Sequence, residues 1–209
     1  MPKVMVRIYE SKILYSEPGE WMNDSVNQQI VISGVGGQGV LFITRLMAEA
    51  AIIKGISVFT SETHGMAQRG GTVLSHLKVG DFSSPLIRPG NANGLLALKP
   101  DSFDRHGYFL KPGAWVAVNS REAVAAGPEF SAYIIDADNL AQRTHNPKSV
   151  NLILLGFALA VISDMTGNNL FCNLEDIKMV LKHRLAKKKQ MLDDAVKALE
   201  TGFNTSARP

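Results

Sequence analysis

The apolar positions of the chain alternate between strand-like runs and helical spacing. Residues 29–33 form a short apolar run, and 38–54 then repeat apolar side chains three and four positions apart. A second apolar run at 56–60 leads into a polar segment, and strand-like alternation resumes at 72–79. A strand, a helix and a strand in this order predict a βαβ unit.

The same alternation continues to the end of the chain. The stretch 150–165 is apolar nearly all round, which predicts a buried helix, and Gly202 stands where the last helix would end. Further strands are predicted at 92–97, 114–119 and 132–136, and further helices at 102–110, 137–142, 173–184 and 187–201. The pattern predicts one Rossmann-like α/β domain with a mostly parallel sheet and helices on both faces.

Three regions follow from this reading. Residues 1–27 form an N-terminal arm or hairpin with strand-like alternation at 4–9, residues 28–203 form the α/β domain, and 204–209 form a flexible tail. The N-terminus lacks a signal-peptide pattern, and no run of about 18 apolar residues occurs. We therefore expect a cytoplasmic protein.

Composition narrows the function classes. The net charge of +3 is modest and does not argue for nucleic acid. Near the C-terminus, basic residues cluster without interleaved aromatic residues, which argues against a stacking platform for single-stranded nucleic acid. The cluster is either a solvated helix face or a surface for an acidic partner or for phosphates; it contains Lys178, Lys182, Arg184, Lys187, Lys188 and Lys189.

Metal and hydrolytic chemistry find little support. The single cysteine, Cys172, excludes an internal disulfide and a cluster held by four thiolates, and its apolar neighbours predict a buried side chain. The five histidines lack the spacing of a zinc site, so no metal is expected. A hydrolase elbow and a Walker lysine are also absent from the sequence. Any electron-transfer centre must lie on another chain.

The first glycine loop, Gly34-Val35-Gly36-Gly37-Gln38-Gly39, has G-x-G-x-x-G spacing between a strand and a helix. Backbone N–H groups at such a helix start can bind an anion, and the Gln38 side chain can donate or accept a hydrogen bond. The candidate anion-binding residues are Gly34, Gly36, Gly37, Gln38 and Gly39. The alternative is that these glycines only turn and pack the chain.

The second glycine loop, SETHGMAQRGG, occupies residues 61–71. The Arg69 guanidinium can bind a carboxylate or phosphate through two hydrogen bonds, and His64 can donate to a substrate oxygen or a partner chain. These two are the catalytic candidates, with a purely structural role as the alternative for each. Ligand contacts are also predicted for Thr63, Gln68, Gly70 and Gly71. Because both loops follow carboxyl ends of strands, they should lie side by side.

These loops carry a family resemblance. GVGGQGVL at 34–41 and SETHGMAQRGG resemble the gamma-type subunit or domain of 2-oxoacid:acceptor oxidoreductases, most closely the small subunit of indolepyruvate:ferredoxin oxidoreductases. LLALKPDSFDRHGYFLKPGAWVAVN at 95–119 and NLILLG at 151–156 extend the resemblance, which covers roughly residues 28 to 202.

The resemblance implies one component of a thiamine-diphosphate enzyme that converts a 2-oxo acid and coenzyme A to acyl-CoA and passes electrons to ferredoxin. It implies that thiamine diphosphate, magnesium and four-iron four-sulfur clusters belong to a large partner subunit, and that this chain is inactive alone. A hetero-oligomer such as a heterotetramer is implied, or a homodimer of the isolated chain. The HGMAQRGG form indicates aryl pyruvates such as indolepyruvate. Lys99 departs from the family, where an acidic residue is expected.

Two other interpretations stay open. A Rossmann protein that binds a nicotinamide or flavin nucleotide would use Glu62 to hold a ribose. A structural or regulatory subunit would use the glycine loops only to dock a partner.

Overall fold

A computed structural model describes the fold over residues 4–9, 26–64, 71–165 and 170–205. The strands are β1 (Val4–Tyr9), β2 (Gln28–Val35), β3 (Val58–His64), β4 (Thr72–Val79), β5 (Ala92–Ala97), β6 (Leu110–Asn119) and β7 (Ser131–Ile135). The helices are α1 (Val40–Ile53), α2 (Asp101–His106), α3 (Ala137–Arg143), α4 (Val150–Met165), α5 (Leu174–Arg184) and α6 (Lys189–Phe203), and a 3-10 turn follows α2 at Gly107–Phe109.

The seven described strands form one sheet in the order β1-β3-β4-β2-β5-β6-β7. From β2 through β5 and β6 to β7 every neighbouring pair is parallel, whereas β4 runs antiparallel to both β2 and β3. Five of the seven strands therefore point the same way, which confirms the predicted mostly parallel α/β sheet. The short connection between β3 and β4 explains the reversal of β4, because a parallel crossover needs about a dozen residues or more.

Two strand assignments differ from the sequence prediction. β3 continues four residues past the predicted end at Thr60, so the backbone of His64 pairs with Val73 instead of lying in a loop. In addition, β1 pairs antiparallel with β3 as the edge strand of the same sheet, so the predicted N-terminal arm is partly built into the domain. Both differences have one cause: β3 has a hydrogen-bonding neighbour on each side, which stabilises polar residues in a strand. The tail residues 206–209 lie outside the described residues.

The two faces of the sheet are covered unequally. The main core lies between the sheet and α1, α3, α4, α5 and α6, and it includes the fully buried Ile43, Leu77 and Phe157. A second core on the opposite face packs under α2 and the loops around it, with Phe103 and Phe109 against Val116. Helix α4 is buried over residues 151–159, as predicted, because it is apolar on every side and packs between the sheet and α6.

Helices α4 and α6 approach closely through two glycines. A side-chain carbon at Gly156 would collide with the backbone carbonyl of Leu199, and one at Gly202 would collide with that of Ile153. Gly202 was predicted to end the last helix, but it lies inside α6, which ends one residue later. The prediction was wrong because the glycine is required by the helix contact and not by a turn.

Helix α5 is attached to its neighbours by ion pairs. Asn173 and Asp176 form a capping box at its start, and Asp176 also accepts from the Lys54 ammonium at 3.1 Å. Near its end, Arg184 makes a two-pronged contact with Glu49 of α1, with the shortest N–O distance 2.6 Å. These contacts hold α5 against α1. Cys172, just before α5, is 2% exposed, as predicted.

A buried histidine makes the second core sensitive to acid. His76 of β4 is 3% exposed, its ring meets Phe109 edge-on at 5.1 Å, and its Nδ1 accepts the Ile87 N–H at 3.3 Å. Burial lowers the pKa of His76 to about 4, with further repulsion from His106 and Lys78. The neutral imidazole is therefore the form that the folded protein keeps.

The close contact between α4 and α6 predicts the effect of adding a single methyl group. We expect Gly202→Ala to lower the free energy of unfolding by about 2 kcal/mol or more, because the two helix backbones must separate. Gly107→Ala is the control, since its added carbon would lie 3.4 Å from the Phe103 ring, an ordinary contact. Urea denaturation of both variants checks this, and equal stabilities would show that the helices do not meet at Gly202.

His76 predicts a specific acid instability. Its pKa in the folded protein, about 4, lies below the unfolded value near 6.5, so its contribution to stability is present above pH 6.5. As the pH falls from 6.5 to 4, the unfolded chain gains a proton that the fold does not, and stability falls by up to about 3 kcal/mol. His76→Gln keeps an acceptor for Ile87 and should flatten the pH dependence of the melting temperature in this window. His183→Gln, at an exposed position of α5, should keep the wild-type curve; matching curves for all three proteins would contradict the assignment.

Candidate functional site

The topology creates a crevice between the ends of β2 and β5. After β2 the chain enters α1 on the main-core face, whereas after β5 it enters α2 on the opposite face. Parallel neighbours whose connections leave to opposite faces separate at their carboxyl ends, and ligands of open α/β sheets bind there. The first glycine loop follows β2 and therefore borders this crevice.

Backbone conformation and packing both require glycine at position 39. Gly39 has φ of 82°, in the left-handed region, and its carbonyl accepts the N–H of Ile43 at 3.2 Å to start α1. The buried Asn151 of α4 lies directly against it, and a side-chain carbon at Gly39 would collide with the Asn151 amide. Gly36 and Gly37 are exposed at the rim of the crevice. The loop is therefore held at Gly39 by its contact with α4, whereas its backbone at Gly36 and Gly37 is exposed.

The Gln38 side chain holds this loop in place. Its Oε1 accepts the Val35 N–H at 2.9 Å, and its Nε2 donates to the Leu98 carbonyl at 3.4 Å across the crevice. Gly34 is close-packed beneath it, since an added carbon there would lie 2.9 Å from Gln38 Oε1 and 3.0 Å from the Leu98 Cβ. These are the contacts of a positioning residue. Direct binding of a ligand by the Gln38 side chain stays a prediction.

Sequence reasoning missed Asn119, which completes the same network. Asn119 Nδ2 donates to the Leu98 carbonyl at 3.2 Å and to the Asp138 carboxylate at 2.9 Å, and its Oδ1 accepts the Ala137 N–H at 2.9 Å. It is 3% exposed. The signal in the sequence was an asparagine that ends an apolar strand, where a buried amide needs partners. The Leu98 carbonyl therefore accepts hydrogen bonds from both Gln38 and Asn119.

The loop offers unpaired donors to an anion. The N–H groups of Gly37, Gly39, Val40 and Leu41 donate to no acceptor within the part of the chain that the structure describes. No acidic residue occupies the first turn of α1. The positive end of the helix dipole adds to these donors, so a carboxylate or phosphate in front of the loop would be stabilised.

The two glycine loops meet at this edge of the sheet. The Gly36 N–H donates to the Gly71 carbonyl at 3.0 Å, and Val73 of β4 pairs with Gly34 on one side and with His64 on the other. Thr63 is half-buried beside Leu74. The predicted contact between the loops therefore exists, through the residue that ends the second loop. Gln68, Arg69 and Gly70 lie outside the described residues, as does the side chain of His64.

The edge continues into a pocket beyond β5. A cavity of about 260 Å³ lies after β5 and β6 and is lined by Pro100 and residues 120–124. Arg121 reaches over Asp136, with 3.5 Å between Nε and the carboxylate, and its side chain is 66% exposed. This arginine was not a sequence candidate, because no motif surrounds it. Because it pairs with Asp136 and Glu122 also lines the pocket, this pocket carries charges of both signs.

The geometry does not favour a dinucleotide site. In a dinucleotide-binding Rossmann domain, the first two strands of the βαβ unit are neighbours. An acidic residue at the end of the second strand binds the ribose. Here β4 separates β2 from β3, and Glu62 is 3% exposed within β3, two residues before its end. Its carboxylate therefore does not border the first loop as a ribose ligand must.

The cysteine count does not fit a four-thiolate cluster, and the described residues do not fit a metal ion. A cluster held by four thiolates needs four cysteines, and the chain has one, whose thiol pKa is raised by burial and by the nearby Asp176. Within the described ranges, no group of three or more histidine, cysteine or acidic side chains is placed to bind a metal. Of the helices in those ranges, none is long and apolar enough to span a membrane.

Fold and site together define an α/β domain with a glycine-loop crevice at a topological switch point. Comparison with known proteins gives the family: the chain belongs to the pyruvate ferredoxin/flavodoxin oxidoreductase family, which it matches over residues 29–205. It is 33% identical over 202 residues to the indolepyruvate oxidoreductase subunit IorB of Archaeoglobus fulgidus, covering 86% of this chain and 96% of that subunit. It is 30% identical to the Thermococcus kodakarensis subunit of the same name, covering 85% and 95%.

Solved structures agree on the fold. The gamma subunit of a keto/oxoacid ferredoxin oxidoreductase from Geobacter sulfurreducens superposes with a TM-score of 0.67 at 25% identity, covering 86% of this chain and 95% of that one. A 2-oxoglutarate:ferredoxin oxidoreductase from Magnetococcus marinus gives a TM-score of 0.68 at 21% identity, and there the match spans 84% of this chain but 30% of the larger one. The recurrence of this fold as a separate subunit and as part of a longer chain fits a single α/β domain.

The Asn119 network predicts a measurable stability effect. Asn119→Ala leaves the buried Ala137 N–H without its acceptor and should lower the free energy of unfolding by about 1–3 kcal/mol. Asn119→Asp should lower the free energy of unfolding at least as much, because it replaces the donor to the Leu98 carbonyl with a negative charge beside Asp138. Asn139→Ala, at an exposed position on α3, is the control and should change stability by less than about 0.5 kcal/mol. Urea denaturation compares the three, and a silent Asn119→Ala would contradict the network.

Proposed function

We propose that this chain is the non-cluster subunit of a thiamine-diphosphate-dependent 2-oxoacid:ferredoxin oxidoreductase, with aryl pyruvates such as indolepyruvate as substrates. In the proposed reaction the 2-oxo acid loses its carboxylate as carbon dioxide, the thiol of coenzyme A takes the acyl group, and two electrons pass to ferredoxin. The chain completes the active site of a large partner subunit and is inactive alone.

One observation carries this proposal: the two glycine loops are joined by the Gly36–Gly71 hydrogen bond at one exposed edge of the sheet. The backbone at Gly36 and Gly37 is exposed, so it is available to contact a ligand or a partner chain. The near full-length match to IorB subunits supports the same division into small and large chains.

In the proposed complex the cofactors lie on the partner subunit. The single cysteine of this chain cannot ligate a four-thiolate cluster, which supports assigning the iron–sulfur clusters to the partner, together with thiamine diphosphate and its magnesium. Thiamine diphosphate, when bound there, supplies the electron sink for decarboxylation. Coenzyme A enters as a co-substrate; the 2-oxoglutarate enzyme of Magnetococcus marinus has been solved with it bound. A complex that uses these soluble carriers is placed in the cytoplasm, with a heterotetramer as the simplest symmetric assembly.

Each loop has a separate role in the proposal. The open N–H groups of Gly37 and Gly39, together with the start of α1, bind an anionic group, either the carboxylate of the 2-oxo acid or a phosphate of coenzyme A. The second loop faces the partner's active site, where Arg69 binds a carboxylate and His64 donates to a substrate oxygen. Thr63, Gln68, Gly70 and Gly71 shape that loop around the substrate.

Reconstitution tests the proposal. The chain is produced alone and together with its large subunit, and oxidation of indolepyruvate is followed with coenzyme A and a viologen dye as acceptor. We expect activity from the complex only, with indolepyruvate preferred over pyruvate and 2-oxoglutarate. Activity of the isolated chain would contradict the proposed division of labour. A large subunit that is equally active without this chain would leave it the role of a structural or regulatory subunit.

The catalytic candidates predict graded effects. Arg69→Lys keeps the charge but loses the two-pronged geometry, and should lower turnover by the complex about ten-fold or more, which corresponds to about 1.4 kcal/mol. His64→Gln should give a smaller defect. Arg143→Lys, at an exposed position on α3, is the control and should leave turnover unchanged. If Arg69→Lys or His64→Gln instead strongly lowers the melting temperature of the free chain and leaves turnover unchanged, the role of the second loop is structural and not catalytic.

A further inference from the structure

We infer that the turn between α5 and α6 is a docking surface for a small acidic electron-carrier protein of the ferredoxin or flavodoxin class. The surface, termed here the lysine turn, consists of Lys187 and Lys188 in the turn, Lys182 in the last turn of α5 and Lys189 at the start of α6. The inference rests on the proposed function for the identity of the partner, and on the charges of this turn for its location.

The charge of the chain is concentrated in this one segment. Six of the 22 basic residues and none of the 19 acidic residues lie between positions 177 and 192, so the other 193 residues carry a net formal charge of −3. The acidic residues of α5 and α6 lie outside this segment, at Glu175, Asp176, Asp193, Asp194 and Glu200, so the excess positive charge is local to residues 177–192. Such an asymmetry creates a local positive field that attracts an acidic surface.

Ion pairs account for two of the six basic residues. Lys178 contacts Glu175 at 2.9 Å and Glu200 at 2.7 Å, and Arg184 contacts Glu49, so both attach α5 to its neighbours. The four residues of the lysine turn are exposed and form no ion pair with any described residue. The nearest acidic residues along the chain begin at Asp193, and Asp194 accepts from Gln190 at 3.0 Å.

Two of these lysines stand at the start of α6, where a helix does not favour them. Lys188 is the N-cap of α6 without a side-chain capping bond, Lys189 begins the helix, and the first turn contains no acidic residue. Helix starts favour Ser, Thr, Asp or Asn at the cap and negative charge in the first turn, because the dipole is positive there. A local rule broken without a stabilising return is typical of a functional surface.

The composition of the lysine turn suits a partner that binds transiently. Lysine is depleted from the cores of permanent interfaces, whereas exposed charges steer partners and set association rates. Met179 and Met191, each 53% exposed, flank the turn and offer adaptable apolar contacts. An acidic carrier that must bind, accept electrons and leave fits both features. A permanent subunit would need a larger apolar area.

Steady-state reduction of a purified acidic ferredoxin by the assembled complex tests the inference. The variant replaces Lys182, Lys187, Lys188 and Lys189 with Gln; the control replaces Lys111, Arg143, Lys148 and Lys197 with Gln, which removes the same charge from other exposed positions. At low ionic strength we expect the lysine-turn variant to raise the KM for ferredoxin about five- to ten-fold, and the control to raise it less than two-fold. The difference should vanish at high salt, because exposed charges are screened.

Two further readouts separate the possible failures. Turnover with a viologen dye should be unchanged in the lysine-turn variant, and its melting temperature should be unchanged or higher. A ferredoxin KM equal to that of the control, or loss of the large subunit on purification of the variant, would overturn the inference. If the wild-type complex oxidises no 2-oxo acid even with the dye, the proposed function fails; ferredoxin binding to the complex, measured directly at low and high salt, then decides the docking inference alone. Binding of duplex DNA in preference to ferredoxin would also overturn it.

Discussion

The Leu98 carbonyl is the point on which the site depends. Gln38 from the first glycine loop and Asn119 from the end of β6 both donate to it, so one oxygen connects the ends of β2, β5 and β6. Because Asn119 also accepts the first N–H of α3, the connection reaches the helix layer. Buried polar groups must be satisfied, so these bonds fix the relative positions of the strand ends. The strand ends that border the crevice between β2 and β5 are therefore connected by hydrogen bonds.

The position of β4 between β2 and β3 distinguishes this sheet from that of a nucleotide-binding βαβ unit. In a plain βαβ unit the two glycine loops would follow adjacent parallel strands. Here the second loop returns the chain antiparallel between them, and Gly71 reaches the N–H of Gly36. The nucleotide-binding arrangement is lost, because Glu62 is buried in the sheet, and the Gly36–Gly71 hydrogen bond joins the first loop to the end of the second. The same glycine motif thus serves a different surface.

Periodicity was sufficient to predict most of the fold, because strands such as β4 and β5 and the apolar helix α4 carry unmixed patterns. It failed where long-range pairing decided the outcome. Ser61 and Glu62 are polar and read as loop, yet pairing on both sides makes them strand. Gly202 reads as a helix stop, yet it is a contact point for α4. In the site, the motifs revealed the loops, but Arg121 has no local signal. For Asn119 the sequence shows only an amide that ends an apolar strand, and its partners become visible only when the strand ends are brought together.

Hydrogen–deuterium exchange of this chain, free and assembled with its large subunit, tests the central claim that the two-loop rim is the surface through which it completes the active site. The account predicts that new protection on assembly is concentrated at residues 34–41, 61–72 and 98–100, the segments that border the crevice, while the lysine turn stays exchangeable. Protection confined to the opposite edge of the sheet or to α5 and α6, with the glycine loops unchanged, would contradict it.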